Sequence, residues 1–442
     1  MAVTLRLVES SGSSACAAAL PVLGGGFGPP SMLLRGDVER HADILRQHLG
    51  WRLARLRVDL AEDGSLEHAY SAAGSLRGLG LAPWLVVWPG AGQDARGFGA
   101  AVERLVAGCL GEARRGSDGR LRVEVVSGPD SQEGSPEGLA WLERYDAASA
   151  GAKRACASAE VGGPGSSDPQ RLDAFLAHVF HRSPPEDVDH PAGASRCDFV
   201  SVELPAMRVE PLAAARALVN VMLPGDAGKR APVVCSSFDR SPARCDTERD
   251  RAGHAAAVAR FLIEAGPLAR EAAAAGASDI LDDPALGGGL RYEPLHGGPG
   301  VLTVHDLPKP TFHALDWLRR LGEGDPVEVA VDPPTPGLTV SASRQGNAVR
   351  LLVANDAPED QPQTTLRLAG WPGATAEVLR VSAEHGSAWA RWRSLGAPDF
   401  LNDDLLGELT RASLPEASSA WLATESLAVP PGSLTWIETQ AA

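Results

Sequence analysis

Acidic side chains recur at the ends of short apolar runs, where they could exchange protons with a bound molecule. Asp59 lies at the end of RLARLRVDL, Glu203 near the end of CDFVSVELP, and Asp239 at the end of APVVCSSFD. Asp130 and Asp279 follow or lie within two further runs. Two carboxyl groups in one pocket can act as general acid and general base. A catalytic interpretation of these residues would pair Glu203 with Asp239, Asp59 or Asp130, and Asp279 is a candidate for contact with the ligand.

The elements that must position these residues are indicated by the rhythm of the chain. Eight apolar runs alternate with eight amphipathic segments, which predicts βα units. The predicted strands are 20–28, 52–60, 82–90, 120–128, 159–165, 197–205, 231–239 and 277–283. The predicted helices are 37–49, 65–79, 97–114, 137–155, 169–182, 209–222, 250–275 and 310–321. This count favours an α/β fold with a (β/α)8 TIM barrel, whose active sites lie at the C-terminal strand ends.

An open doubly wound sheet is disfavoured, because the Gly-rich turn GGGFG at 24–28 lacks the G-x-G-x-x-G spacing of a phosphate loop. After residue 322 the chain reads as alternating strands separated by turn residues, which predicts an antiparallel β-sandwich over 323–442. Residues 1–15 contain the similar pattern VTLRLVE, so we expect an N-terminal strand that joins the sandwich. The barrel then occupies 16–322.

Composition excludes several classes of protein. A net charge of −15 without a basic stripe disfavours nucleic-acid binding. No run of 18 apolar residues and no signal-peptide pattern occur, so we expect a cytoplasmic or intracellular protein without a membrane span. Six cysteines without a C-x-x-C pair predict no metal site and no cofactor. His178 and His181 have no acidic partner at metal-ligand spacing and are predicted to be a surface pair.

Four separated segments resemble one known family. The segment YEPLHGGPGVLTVHDLPKPTFHALDWLRRLG at 292–322 resembles the eighth βα segment of glycoside hydrolase family 39, which contains β-xylosidases and α-L-iduronidases. ASDIL at 277–281 resembles the Ser-Asp pair of its eighth strand, and YDAASAGAKRACASAEVGGPG at 145–165 resembles its fourth helix and the following strand. The segment 376–413 resembles part of its sandwich. The resemblance implies a glycosidase-like barrel with a saccharide ligand.

The catalytic pair of that family has no counterpart in this chain. Retaining glycosidases use two carboxyl groups about 5 to 5.5 Å apart. The resemblance places the acid/base at Gly128, after Ser127 in the Asn position, and the nucleophile at Ser237. It also implies that Asp59 and Glu203 replace two histidines of the family. Glycine cannot transfer a proton, and a serine hydroxyl without an adjacent base is a poor nucleophile, so the usual hydrolysis is not expected.

Two functions from different classes remain open. The first is a non-hydrolytic protein that binds a saccharide, or acts in an assembly with a partner protein or further copies of itself. Trp88 would stack on the sugar, with Ser127, Asp279 and His296 as further contacts. The second is a diverged hydrolase acting on a xyloside- or uronide-type substrate, with Glu203 as one of its carboxyl groups.

A purely structural role for the acidic residues is the alternative to both functions. Glu203 and Asp59 would then form ion pairs with Arg57 or Arg208 and hold the rim of the barrel together.

Overall fold

A computed structural model of the chain describes residues 2–7, 24–26, 36–60, 65–89, 93–111, 121–126, 136–181, 196–205, 207–222, 232–239, 247–274, 285–286, 300–303, 305–371, 375–421 and 426–439. The chain forms two compact units. The sandwich unit comprises Met1–Pro21, Arg240–Ala269 and Leu290–Ala442 and includes the first strand, β1 (Ala2–Leu7). The barrel unit comprises Val22–Asp239 and Arg270–Gly289. The domain bounds 1–15, 16–322 and 323–442 stay a prediction.

Eight parallel strands of the barrel unit pair in a closed order. They are β2 (Gly24–Gly26), β3 (Leu53–Asp59), β4 (Ala82–Trp88), β5 (Arg122–Val125), β6 (Glu160–Pro164), β7 (Phe199–Pro205), β8 (Val233–Asp239) and β9 (Ala285–Leu286). The predicted strand at 277–283 lies outside the described residues, and the eighth barrel strand described is β9.

Helices alternate with these strands along the chain. They are α1 (Gly36–Leu49), α2 (Ser65–Gly78), α3 (Ala95–Leu110), α4 (Pro136–Ala155), α5 (Pro169–His181), α6 (Glu210–Met222), α7 (Ala252–Ala274) and α8 (Pro310–Gly322). Apart from the eighth barrel strand, this order of strands and helices is the one that the sequence predicts. No helix in these ranges is long and apolar enough to cross a membrane.

Alternation along β3 separates its two faces. Ala54, Leu56 and Val58 are completely buried, as expected for side chains that face the surrounding helices. Arg55 lies on the opposite face and contacts Glu124 of β5, which is not a neighbouring strand. In a closed barrel, side chains of non-adjacent strands meet in the interior, so this face of β3 points inward.

A cluster of two aromatic rings and a guanidinium group lies in the interior near the N-terminal strand ends. Trp84 of β4 meets Phe199 of β7 edge to face, with ring centroids 5.9 Å apart. The guanidinium of Arg122 lies 5.2 Å from the first ring and 5.0 Å from the second, and it pairs with Glu160 at 2.8 Å. This packed layer supports the polar residues nearer the C-terminal strand ends.

The sandwich unit contains two sheets. Their further strands are β10 (Asp325–Val327), β11 (Val329–Asp332), β12 (Leu338–Gln345), β13 (Ala348–Asn355), β14 (Thr364–Ala369), β15 (Thr375–Val381), β16 (Glu416–Trp421), β17 (Leu427–Val429) and β18 (Ser433–Thr439). The sheet orders are β11-β1-β14-β17 and β10-β12-β13-β18-β15-β16. In β1, Leu5 pairs with Val331 on one side and Leu368 on the other. Two helices, α9 (Ala388–Ser394) and α10 (Asp403–Ser413), lie between β15 and β16 along the chain.

The histidine pair of α5 differs from its prediction. His178 is buried and its Nε2 lies 2.8 Å from Asp146 of α4, so the predicted surface pair is wrong for this residue. His181, one turn later, is exposed. Asp146 stands 32 positions earlier in the chain and on another helix, so residue spacing within one helix could not predict this contact.

Candidate functional site

Three predicted site residues are described at the C-terminal ends of barrel strands. Asp59 is the last residue of β3, Trp88 is the last residue of β4, and Glu203 lies two residues from the end of β7. Asp59 and Trp88 are partners in the strand register. All three side chains are partly exposed. Because the C-terminal ends of parallel barrel strands form one rim, these residues belong to the same end of the barrel.

The other predicted site residues are described in part or not at all. Ser237 and Asp239 have described backbones in β8, and Asp239 ends that strand. Ser127, Gly128, Asp130, Asp279 and His296 lie outside the described residues. The roles assigned to these seven residues therefore stay predictions. Among the described side chains, no group of three His, Cys, Asp or Glu converges as a metal site requires.

Glu203 occupies an environment that favours the protonated carboxyl group. Its Oε1 lies 3.8 Å from Nη2 of Arg55, and 38% of its side chain remains exposed. Desolvation by burial raises the pKa of Glu203; the charge of Arg55 opposes this shift, Glu124 adds to it, and Arg57 opposes it more weakly. A reachable carboxyl group with a raised pKa has the properties of a general acid.

Arg55 is held in the barrel interior by Glu124. Its Nε and Nη2 donate to Oε2 of Glu124 at 3.1 and 3.0 Å, and the two side chains are only 3% and 0% exposed. One buried guanidinium therefore faces two carboxyl groups, Glu124 and Glu203. Within the described part of the chain, Oε1 of Glu124 has no hydrogen-bond partner.

Sequence reasoning missed both Arg55 and Glu124. A signal was present, because strand alternation places Arg55 on the same face as Asp59 and Glu124 on the same face as position 128. Charged residues within otherwise apolar strands must find partners when the strand is buried. Strand alternation alone does not show that Arg55 and Glu124 are partners of each other.

The register between β7 and β8 shifts at Glu203. Val202 pairs with Cys235, whereas Glu203 pairs with Ser237, so Ser236 is an extra residue on β8. Ser236 is buried, and its hydroxyl has no hydrogen-bond partner among the described residues. Bulges of this kind are common next to active sites, where they redirect the strand. Here the shift brings Ser237, the position that the sequence resemblance assigns to the nucleophile, level with Glu203.

The predicted ion pairs of Glu203 require correction. Arg208 pairs with Glu210 at 3.4 Å, so the expectation that it pairs with Glu203 is wrong. The ion pair described for Glu203 is formed with Arg55, and Arg57 acts on it through its charge. The observed partner, Arg55, lies deeper on the inner face of β3 than Arg57.

Two bacterial β-xylosidases are similar in sequence. The enzyme of Caldicellulosiruptor saccharolyticus is 25% identical over 197 residues, which cover 43% of this chain and 39% of that protein. The enzyme of Geobacillus stearothermophilus is 23% identical over 278 residues, which cover 59% of this chain and 52% of that protein. The matched region thus spans about half or less of each relative.

Solved structures show the same fold over the whole chain. A family 39 β-xylosidase from Caulobacter crescentus superposes with a TM-score of 0.69 at 19% identity, covering 100% of both chains. A bacterial orthologue of human α-L-iduronidase superposes with a TM-score of 0.70 at 19% identity, covering 100% of this chain and 84% of that one.

A family model described as glycosyl hydrolases family 39 matches residues 122–427, from β5 to β17. The match extends over well more than half of the chain and crosses the barrel strands that carry Glu124 and Glu203. It agrees with the resemblance of the separated sequence segments and with the fold of the solved structures. This chain therefore belongs to glycosyl hydrolases family 39.

Proposed function

We propose that this protein binds a saccharide at the C-terminal rim of a (β/α)8 TIM barrel that carries a C-terminal β-sandwich, without catalysing the double displacement of its relatives. The observation that carries this proposal is the pair Gly128 and Ser237, which stand where the family resemblance places the two catalytic carboxyl groups. Without a proton donor at the first position and a carboxylate at the second, the covalent route has neither of its reacting groups.

The rim residues support saccharide binding. Trp88 is partly exposed at the end of β4, and an indole ring can stack on the apolar face of a sugar. Asp59, its register partner, and Glu203 can accept hydrogen bonds from sugar hydroxyl groups. In this proposal Ser127, Asp279 and His296 complete the site. Relatives described as β-xylosidases and an α-L-iduronidase orthologue point to a xyloside- or uronide-type ligand.

The binding proposal is tested by calorimetric titration with xylose- and uronate-containing oligosaccharides. We expect saturable binding by the wild type, loss of at least tenfold in affinity in Trp88→Ala, and unchanged affinity in Trp421→Ala. Trp421 is a matched control because it is an exposed tryptophan of the sandwich unit. Absence of binding across the panel, or equal affinity in Trp88→Ala, would contradict the proposal.

A second function is favoured by one specific observation, the raised pKa of a partly exposed Glu203. A protonated carboxyl group at the rim can donate to a leaving-group oxygen while a second carboxylate activates water. Asp239, Asp59 and Asp130 are the candidates for that second group. Inverting glycosidases place the two groups about 6.5 to 9.5 Å apart. In this case the protein would be a diverged hydrolase of its family.

Aryl glycosides distinguish the two functions, because their leaving groups need little help from an acid. β-Xyloside, α-iduronide, β-glucoside and α-arabinoside substrates are assayed with and without azide, which can replace a missing nucleophile. Turnover only with azide supports a sugar site without its nucleophile. Turnover without azide that is lost in Glu203→Gln, but kept in the exposed control Glu210→Gln, supports the hydrolase.

A further inference from the structure

A single buried guanidinium lies between two carboxyl groups of different character. Glu124 is fully buried and accepts two hydrogen bonds from Arg55, whereas Glu203 is partly exposed and lies 3.8 Å from the same guanidinium. The Arg55 side chain also lies over the ring of Trp84, at 5.9 Å from its centroid. Contacts with Trp84 on β4 and Glu124 on β5 therefore restrain the orientation of the Arg55 guanidinium independently of Glu203.

We propose that Arg55 and Glu124 are positioning residues for Glu203: Glu124 anchors the guanidinium, and the anchored guanidinium holds a fixed positive charge beside the rim carboxyl group. The role of that carboxyl group toward a ligand rests on the proposed function. The electrostatic coupling among Arg55, Glu124 and Glu203 rests only on the contacts between these three residues.

The hydrogen bonds of Arg55 go to Glu124, which leaves the Glu203 carboxyl group able to bind a ligand. Nε and Nη2 both donate to Glu124 Oε2, and the 3.8 Å approach of Nη2 to Glu203 exceeds hydrogen-bond length. Glu203 is therefore attracted by charge but not saturated by a hydrogen bond from Arg55. Its carboxyl group can donate to a ligand oxygen when protonated and accept from a ligand hydroxyl when ionised.

The charges around Glu203 come from several strands. Arg55 and Arg57 of β3 favour the ionised form, and Glu124 of β5 opposes it. On β8, Ser237 is the register partner of Glu203, and neither Ser237 nor the preceding Ser236 carries a charge. Burial is the largest influence and favours the protonated form. Loss of the Glu124 charge would leave the two arginines less opposed, so Glu203 would ionise at lower pH.

The experiment is a titration of the ligand-free protein, labelled with ¹³C at the glutamate carboxyl carbon and followed by NMR. Glu203→Gln assigns the resonance. We expect the midpoint of Glu203 to fall by about one pH unit in Glu124→Gln. It should stay in place in Glu160→Gln, a matched control because Arg122 donates to Glu160 Oε2 through the same two nitrogens, at 3.0 and 2.8 Å. An unchanged midpoint in folded Glu124→Gln would overturn the proposal.

A second measurement does not depend on the Glu124→Gln variant. In the wild type, the Nε–H resonance of Arg55 should shift with the same midpoint as the Glu203 carboxyl carbon, while that of Arg122 should not. An Arg55 signal that stays constant through the titration of Glu203 would overturn the coupling even if Glu124→Gln fails to fold. Neither titration involves a saccharide, so these results are independent of whether the proposed ligand binds.

Discussion

Asp146 of α4 and His178 of α5 are joined by a 2.8 Å hydrogen bond between Oδ2 and Nε2, with both side chains buried. The other oxygen of Asp146, Oδ1, accepts from Nε and Nη2 of Arg196, just before β7. Arg196 also donates through Nη1 to the carbonyl of His178 at 3.2 Å. One carboxylate therefore ties two helices to the segment that leads into the strand of Glu203.

Replacing this carboxylate should be costly. We expect Asp146→Asn to lower the free energy of unfolding by about 3–5 kcal/mol, because it leaves the largely buried guanidinium of Arg196 without its ion-pair partner. Glu103→Gln, which removes a partly exposed pair with Arg154 at 2.9 Å, should cost less than about 1 kcal/mol. Urea unfolding measures both values. Equal effects of the two substitutions would show that the buried network is not the stabilising element.

The close approach of α3 and α4 predicts a second effect on stability. A Cβ at Gly151 would lie 2.2 Å from the carbonyl oxygen of Gly99, and a Cβ at Gly99 would lie 2.6 Å from that of Ala147. We expect Gly151→Ala to destabilise by about 1–3 kcal/mol or more, because backbone must move apart. Gly74→Ala in α2, where no atom lies within 4 Å, should instead stabilise by about 0.4–1 kcal/mol. Thermal unfolding of both variants tests the contrast, and stabilisation by Gly151→Ala would contradict it.

His313 of α8 predicts a loss of stability in acid. Its Nε2 lies 2.8 Å from the Ser413 carbonyl oxygen, so the neutral ring donates there. Burial lowers the pKa of His313 to about 4, from 6.5, and the hydrogen bond opposes this shift. The unfolded chain therefore binds a proton between pH 6.5 and 4 that the folded protein does not, and stability falls through this window as the pH decreases.

The expected loss from His313 is about 3 kcal/mol when the pH reaches 4 or below. His313→Gln should flatten this part of the pH profile of unfolding, whereas His181→Gln, at an exposed position, should not. Guanidinium unfolding at half-unit pH steps measures the slope. A wild-type slope that persists in His313→Gln would assign the acid sensitivity to other groups.

Glu203 predicts a pH dependence in the opposite direction. Its pKa is raised in the folded protein, so the native state holds a proton that the unfolded chain releases once the pH exceeds its ordinary value. Stability therefore falls as the pH rises from the ordinary glutamate pKa through the raised one. We measure the melting temperature of Glu203→Gln minus that of the wild type, and we expect this difference to be larger at pH 8 than at pH 4. The same difference at both pH values would contradict the raised pKa.

Much of the architecture follows from local pattern. The alternation of apolar runs with amphipathic segments predicts β3 to β8 and α1 to α8 because strand and helix periodicities are properties of neighbouring residues. The sandwich strands β12 to β15 are predicted for the same reason. The family resemblance adds the saccharide chemistry, since it depends on short motifs that remain visible in the sequence.

The contacts of the candidate site follow from barrel closure instead. Arg55 and Glu124 are 69 positions apart, and they meet because β3 and β5 present alternate side chains to a common interior. The sequence offered Arg57 and Arg208 as partners of Glu203, but a partner across a barrel is set by strand register and depth. The register shift at Ser236 likewise has no local signature, because it is a property of the pairing between β7 and β8.

The sequence by itself therefore determined the order of the elements, the family, and the absence of glutamate at positions 128 and 237. The tertiary structure alone decided how far Glu203 is buried and which charges surround it, and burial sets the direction of its pKa shift. The physical reason is that hydrophobic periodicity acts over a few residues, whereas desolvation and charge act through space. Their strength depends on which distant strands the closed barrel brings together.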